Sequence, residues 1–373
     1  MKPTLLISGD RANITTLSLD LEKRELSVVA NYPAPKDSSW VELSSSKGNV
    51  DRLVGLSEDL VDGYLYTFEI DHERKTIKIT SRQPTLGAPA HFITLRDNSA
   101  LALSTYLGQS LALYPISITD EAGLLLTDTP RTEVLADSVN VIHIKYSKTV
   151  GVFFTSPTWG LIVVLLVQAL GTPFSHPMVH RPHNLPTPPF NIDLIQHIEK
   201  IMYVIGELSH KVVAFELSTS PTEDIQPIDG FAPHVIPPSV HPDHQYMMDS
   251  SEIRLHPKIP NVLYVTNRWE RHIAEREPHL ENVPNELQPG DAIAIILLSR
   301  NGRKVESINW VRTNLDTIRG ITLSNDGKYV AAVGQESGGV EIYEIGGERG
   351  DKWTLVASLN GGLDIGIKHA VWL

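Results

Sequence analysis

Glu58, Glu207, Arg268 and Gln335 each close the middle strand of a separate, similar strand unit along this 373-residue chain, with Thr105 at the same place in another. A carboxylate held there can take or give a proton, and an arginine offers a planar, permanently charged fork to an anion. If the units are arranged radially, equivalent strand ends gather around one axis although they are far apart in sequence. Glu252 and Arg319 lie beside such positions, and His91 lies on a strand of a further unit. Glu58, His91, Glu252, Arg319 and Gln335 are therefore candidate substrate-binding residues around Glu207 and Arg268. The alternative is that they are exposed loop entries, or that Glu207 and Arg268 merely neutralise each other.

Other chemistries find little support. The chain has no cysteine, which excludes thiol nucleophiles, disulfides and thiolate metal sites. His176, His180, His183 and His197 lie in or near a proline-rich stretch without a helix face or hairpin to aim them at one point, so no metal site is expected. Gly-x-Ser-x-Gly, a phosphate-binding glycine loop and a dinucleotide fingerprint are missing, and no cofactor is expected.

The elements that must position these residues are short strands. Ser251 to Arg268 reads as strand, turn, strand: Ile253 and Leu255 alternate with polar neighbours, Pro257 to Asn261 carry turn chemistry, and Val262 to Thr266 form a β-branched and aromatic run. Comparable units begin near Ser39, Ala90, Lys200 and Arg319. A period of about 50 residues with three legible strands is the mark of propeller blades. The expected fold is all-β, a seven-bladed β-propeller occupying 1–373 as one domain, with one or two irregular blades around 141–199. There the apolar run Gly160 to Leu170 and the proline- and histidine-rich segment after it break the alternation. That stretch is either a fully buried strand pair or a sequence on which the fold was not built, as a misread splice junction would leave. Thr4 to Ser8 is expected to pair with Ala370 to Leu373 and close the ring, leaving no open sheet edge.

With 32 basic against 44 acidic residues the net charge of -12 argues against a nucleic-acid partner. The apolar run after Met1 is too short for a signal peptide before Asp10 and Arg11, and no membrane span is legible. A cytoplasmic protein is the expectation.

The stretch Ser251-Glu252-Ile253-x-x-His256-Pro257 to Leu263-Tyr264-Val265-Thr266-Asn267-Arg268 resembles the seven-bladed β-propeller lactonase family, which includes 6-phosphogluconolactonase and fungal carboxymuconate cyclase. Tyr203 to Ser209 before it and Gly327-Lys328-Tyr329 to Gln335 after it carry the same likeness. The resemblance implies a lactonase or cycloisomerase that forms a lactone from, or opens one on, a small anionic substrate. A cyclase-like reaction is the first reading, and a 6-phosphogluconolactonase-type hydrolase or a catalytically impaired binding scaffold are the alternatives. It carries Glu207, on a Gly-Glu-Leu motif, and Arg268, on an Asn-Arg motif, over as catalytic residues. The family's histidine and first arginine motifs have no counterpart in 141–199.

Overall fold

The computed structural model describes residues 3–373 apart from 62, 86, 95–99, 106–109, 120–122, 127–130, 135–139, 146–149, 157–159, 163, 170–199, 217–225, 272 and 274–287. The described strands form antiparallel sheets in chain order, and four of these sheets are regular and four-stranded. The first blade joins Ile367–Trp372 to Thr4–Gly9, Asn13–Asp20 and Glu25–Pro33. Trp40–Lys47 opens the second, Pro89–Thr94 the third, Asp249–Leu255 the sixth and Ile318–Leu323 the seventh.

The stretch expected to be irregular is where the sheets depart from this plan. A seven-stranded array runs from Asn140–Lys145 to Gln226–Pro227. Its halves are joined between Val150–Ser156 and Val164–Ala169 by one residue pair, Gly151 with Leu165. Cutting at that pair gives a fourth blade of three strands and a fifth of four, and so seven blades among the described residues. The apolar run from Gly160 forms two strands, Gly160–Ile162 and Val164–Ala169, each paired with Val150–Ser156. The histidines at 176, 180, 183 and 197 lie outside the described residues.

Period-two alternation builds the core between blades. Leu5 and Ile7 pack with Ala331, Val333 and Ile342 of the seventh blade. Leu6, between them, packs with Val41, Leu53 and Tyr66 of the second. Likewise Leu263 and Val265 face the fifth blade while Val262 and Tyr264 face the seventh. Successive side chains of a strand point to opposite faces, so a sheet buried on both faces needs a solid apolar run such as Val262-Leu263-Tyr264-Val265. Two tyrosines repeat one device across neighbouring blades: Tyr203 donates to the carbonyl of Gly302 at 2.8 Å, and Tyr264 to that of Gly350 at 2.9 Å. Both glycines have positive φ, and a Cβ on either would meet the tyrosine oxygen at 2.4 and 2.7 Å.

Hairpin turns follow from the sequence in the same way. Asp20 accepts from the amides of Glu22 and Lys23, and Asp71 from those of Glu73 and Arg74, with Arg24 and Lys75 left-handed behind them. Ring closure is as expected: Leu5 pairs with Trp372, Leu6 with Val371 and Ile7 with Ala370. Among the described residues no helix is long and apolar enough to cross a membrane.

Candidate functional site

Antiparallel pairing places the start of each blade's inner strand beside the end of its second strand. Trp40 pairs with Leu56, Asp249 with Arg268 and Ile318 with Gly334. One edge of the propeller thus collects inner-strand beginnings and second-strand ends. A cavity of about 90 Å³ opens there, lined by Ser39, Trp40, Glu58, His91, Ile205, Glu207, Ser250, Ser251, Glu252, Arg319 and Lys368.

The charged residues of this cavity alternate in sign. Lys368 Nζ lies 2.8 Å from Asp37 and 3.4 Å from Glu58, and Arg319 Nη2 lies 3.4 Å from the other oxygen of Glu58. On the opposite side Arg268 donates to Glu207 Oε1, to the Ser250 carbonyl at 3.2 Å, and stands 3.5 Å from Asp249. The Arg268 side chain is 7% exposed and that of Glu207 37%, so the arginine holds the carboxylate from behind while the carboxylate faces the cavity. Backbone contacts fix both sides: the Ser250 amide donates to the Glu207 carbonyl at 3.0 Å, and the Glu58 amide to the Asp37 carbonyl at 3.0 Å. Ser251 Oγ reaches the Arg319 carbonyl at 2.8 Å and ties the inner strands of the sixth and seventh blades.

Burial dominates the electrostatics beneath the rim. It raises the Glu252 carboxyl above its ordinary range, against the opposing pull of Arg254 and Arg319. It raises Asp37 against Lys368, and Asp249 against Arg268, in the same way.

The floor of the cavity is an aromatic stack. Trp40 lies 4.0 Å from His369, nearly parallel, and 4.1 Å from His91, edge-on, with the Arg254 guanidinium 5.3 Å from its ring centre. Arg254 Nε is 3.0 Å from Glu252. Below, Glu42 accepts from Trp40 Nε1 and from Thr94 Oγ1, each at 3.3 Å. Burial, then Arg254, push His91 down to about 3, and burial with Arg254 and His91 pushes His369 well below the histidine range. Both imidazoles are neutral at neutral pH. Burial pushes the Glu42 carboxyl up to about 7, against hydrogen bonds from Trp40 and Thr94 and the charge of Arg254.

Of the residues expected from sequence, Glu58, His91, Glu207, Glu252 and Arg319 line one cavity. Arg268 is one layer behind it, and Gln335 is not among the lining residues. Gln335 takes part through its backbone, its amide donating to Thr317 at 2.9 Å and its carbonyl accepting from Gly366 at 2.6 Å. His256, in the most specific motif, serves a turn: Nδ1 accepts from the amides of Lys258 and Ile259, and Nε2 donates to the Gly327 carbonyl at 2.7 Å.

Sequence reasoning missed Lys368, Asp37, Ser39, Asp249 and Arg254. A signal for Lys368 was available. Arg319 and Lys368 are the second residues of the inner strands Ile318–Leu323 and Ile367–Trp372. Aligning units on their inner-strand starts, rather than on second-strand ends, would have paired the two cations.

Antiparallel blades, four of them regular and four-stranded, with a polar cavity at the inner-strand beginnings define a β-propeller. The chain belongs to the family described as "Lactonase, 7-bladed beta-propeller", whose model matches residues 4–132 and 185–362. Similar solved structures include a protein from Lactobacillus plantarum, 16% identical, TM-score 0.66, covering 100% of both chains. A candidate 6-phosphogluconolactonase of Bacteroides fragilis is 16% identical, TM-score 0.65, over 100% of this chain and 98% of that one. The periplasmic gluconolactonase of Pseudomonas aeruginosa is 13% identical, TM-score 0.64, over 100% and 99%. At these identities the likeness is one of fold. A search of curated proteins gave no match.

Proposed function

We propose that this protein is a lactone hydrolase acting in the cavity between Glu207 and the pair Arg319 and Lys368. The observation that carries the reading is that a carboxylate fixed from behind by a buried arginine shares one small cavity with two cations. In the proposed reaction Glu207 takes a proton from water as the water oxygen bonds to the lactone carbonyl carbon. The carbonyl electron pair moves to oxygen, and Arg319 or Lys368 stabilises the resulting oxyanion. Collapse re-forms the carbonyl and breaks the bond to the ring oxygen, which takes the proton back from Glu207. Lactone and water become one hydroxy acid. Arg268 is a positioning residue in this scheme, since its contacts run to Glu207, Ser250 and Asp249.

The same groups would suit the enolate-like charge of muconate-type ring closure, the first reading from sequence. The names of the gluconolactonase-type neighbours support hydrolysis instead. A binding scaffold is the weaker reading, because the carboxylates and cations gather in a cavity rather than on an outer face. The test is a panel of five- and six-membered lactones and muconate-type diacids, followed by proton release and ultraviolet absorbance. Lactone opening with no diacid cyclisation is expected. Cyclisation faster than opening, or no turnover of any lactone, would defeat the proposal.

A further inference from the structure

We infer that the cavity selects an uncharged, polyhydroxylated lactone over a phosphorylated or carboxylated one. The inference rests on the hydrolase reading and names its substrate class. A phosphate dianion is held by arginine forks, lysines or clustered amides that have charge to spare. Here every cation on the cavity wall is already engaged. Lys368 is shared between Asp37 at 2.8 Å and Glu58 at 3.4 Å, and Arg319 meets Glu58 at 3.4 Å. Behind the wall Arg268 is taken by Glu207 and Asp249, and Arg254 by Glu252 at 3.0 Å. Five carboxylates, Asp37, Glu58, Glu207, Asp249 and Glu252, thus stand against four cations, Lys368, Arg319, Arg268 and Arg254. The two imidazoles of the floor add no charge, because burial keeps them neutral.

What the wall does offer suits hydroxyl groups. Carboxylate oxygens accept hydrogen bonds from hydroxyls, and serine hydroxyls both donate and accept. Glu58, Glu207, Glu252, Ser39, Ser250 and Ser251 supply these groups, with Trp40 and Ile205 as apolar surface for ring carbons. Arg319, whose side chain is 30% exposed and meets Glu58 through Nη2, still suits a transient oxyanion, whose charge is single and exists only during reaction. A permanent dianion would have to displace Glu58 from both of its partners.

The experiment compares kcat/KM for D-glucono-1,5-lactone and its 6-phosphate at moderate ionic strength, in wild type and Glu58→Gln. Wild type is expected to favour the uncharged lactone by about tenfold or more, the cost of forcing at least one charged group to give up its partner. Glu58→Gln removes the carboxylate charge facing Arg319 and one of the two facing Lys368, and should move that ratio toward the phosphate by a similar factor. Equal or better turnover of the 6-phosphate by wild type overturns the inference and leaves lactone hydrolysis standing. Calorimetric binding of the inert D-gluconolactam and its 6-phosphate separates the two claims. Tighter binding of the uncharged lactam without any lactone turnover supports the inference while the hydrolase reading falls, and tighter binding of the phosphorylated lactam overturns it. If Glu58→Gln does not fold, the wild-type ratios decide.

Discussion

Replacing Arg268 by lysine tests whether Glu207 depends on the residue behind it. The guanidinium spans three acceptors: Glu207 Oε1, the Ser250 carbonyl at 3.2 Å and Asp249 at 3.5 Å. An ammonium is a point charge on a different stem and cannot reproduce a planar fork across three groups. It keeps the charge, so the half-buried Asp249 carboxylate is not left unpaired, and the full ~3–5 kcal/mol cost of deleting a buried partner does not apply. The loss is that of one or two charge-assisted hydrogen bonds, about 1.5–3 kcal/mol each when buried. The Glu207 side chain is 37% exposed, so the discounted expectation is about 1–2 kcal/mol in the barrier, or about 5- to 30-fold in kcat. Because Arg268 does not line the cavity, KM should change little. Steady-state kinetics on the best lactone of the panel, with thermal unfolding in parallel, gives both readouts. Wild-type kcat in Arg268→Lys would refute the argument that Arg268 acts through Glu207. A raised KM at unchanged kcat would instead make it a binding residue.

Three further outcomes concern the fold. Deleting Ala370 to Leu373 removes the pairs that Leu5, Leu6 and Ile7 make across the closure, and should lower the thermal midpoint clearly; an unchanged midpoint would contradict ring closure. Glu42 has its carboxyl raised from 4.5 to about 7, so its contribution to stability is fully present below about pH 4.5 and is lost as pH rises through 7. At ~1.4 kcal/mol per unit this is about 3 kcal/mol. Denaturant unfolding at pH 4.5 and pH 8 should show wild type losing that much more than Glu42→Gln, and equal slopes with pH would count against it. Asp291 accepts from the amides of Trp269, Glu270 and Thr317 at 3.2, 2.8 and 2.7 Å, so Asp291→Ala takes the acceptor from two buried donors and one half-buried one. A loss of about 3 kcal/mol or more is expected in the same assay, and a loss under 1 kcal/mol would argue that water replaces the carboxylate.

The strands were legible because a sheet buried on both faces writes itself as an apolar run between turn residues. Val262-Leu263-Tyr264-Val265 and the closing strand were read correctly on that ground. The site was legible only in part, because equivalent positions need not have equivalent neighbours. Arg268 ends a second strand and Gln335 follows directly after one. Asp249 stands across from Arg268 in register, and Glu207 reaches it from the fifth blade. Gln335 instead hydrogen-bonds through its backbone to Thr317, outside the cavity lining. Lys368 and Asp37 are 331 positions apart, and Trp40 meets His369 across the same closure. Such contacts depend on which inner strands become neighbours when the ring closes, and local patterning does not encode that. Burial is equally invisible in sequence: His91 reads as a candidate substrate-binding residue, and its place beside Trp40 and Arg254, where it is held neutral, shows only in the fold.

The most direct measurement of the central claim is the initial rate of lactone opening, followed by proton release, for wild type and Glu207→Gln at matched thermal midpoints. The account predicts a fall of about 100-fold or more in kcat, the usual scale for removing a positioned base, because the amide cannot take the proton from water. A Glu207→Gln protein that opens the lactone at the wild-type rate would contradict it.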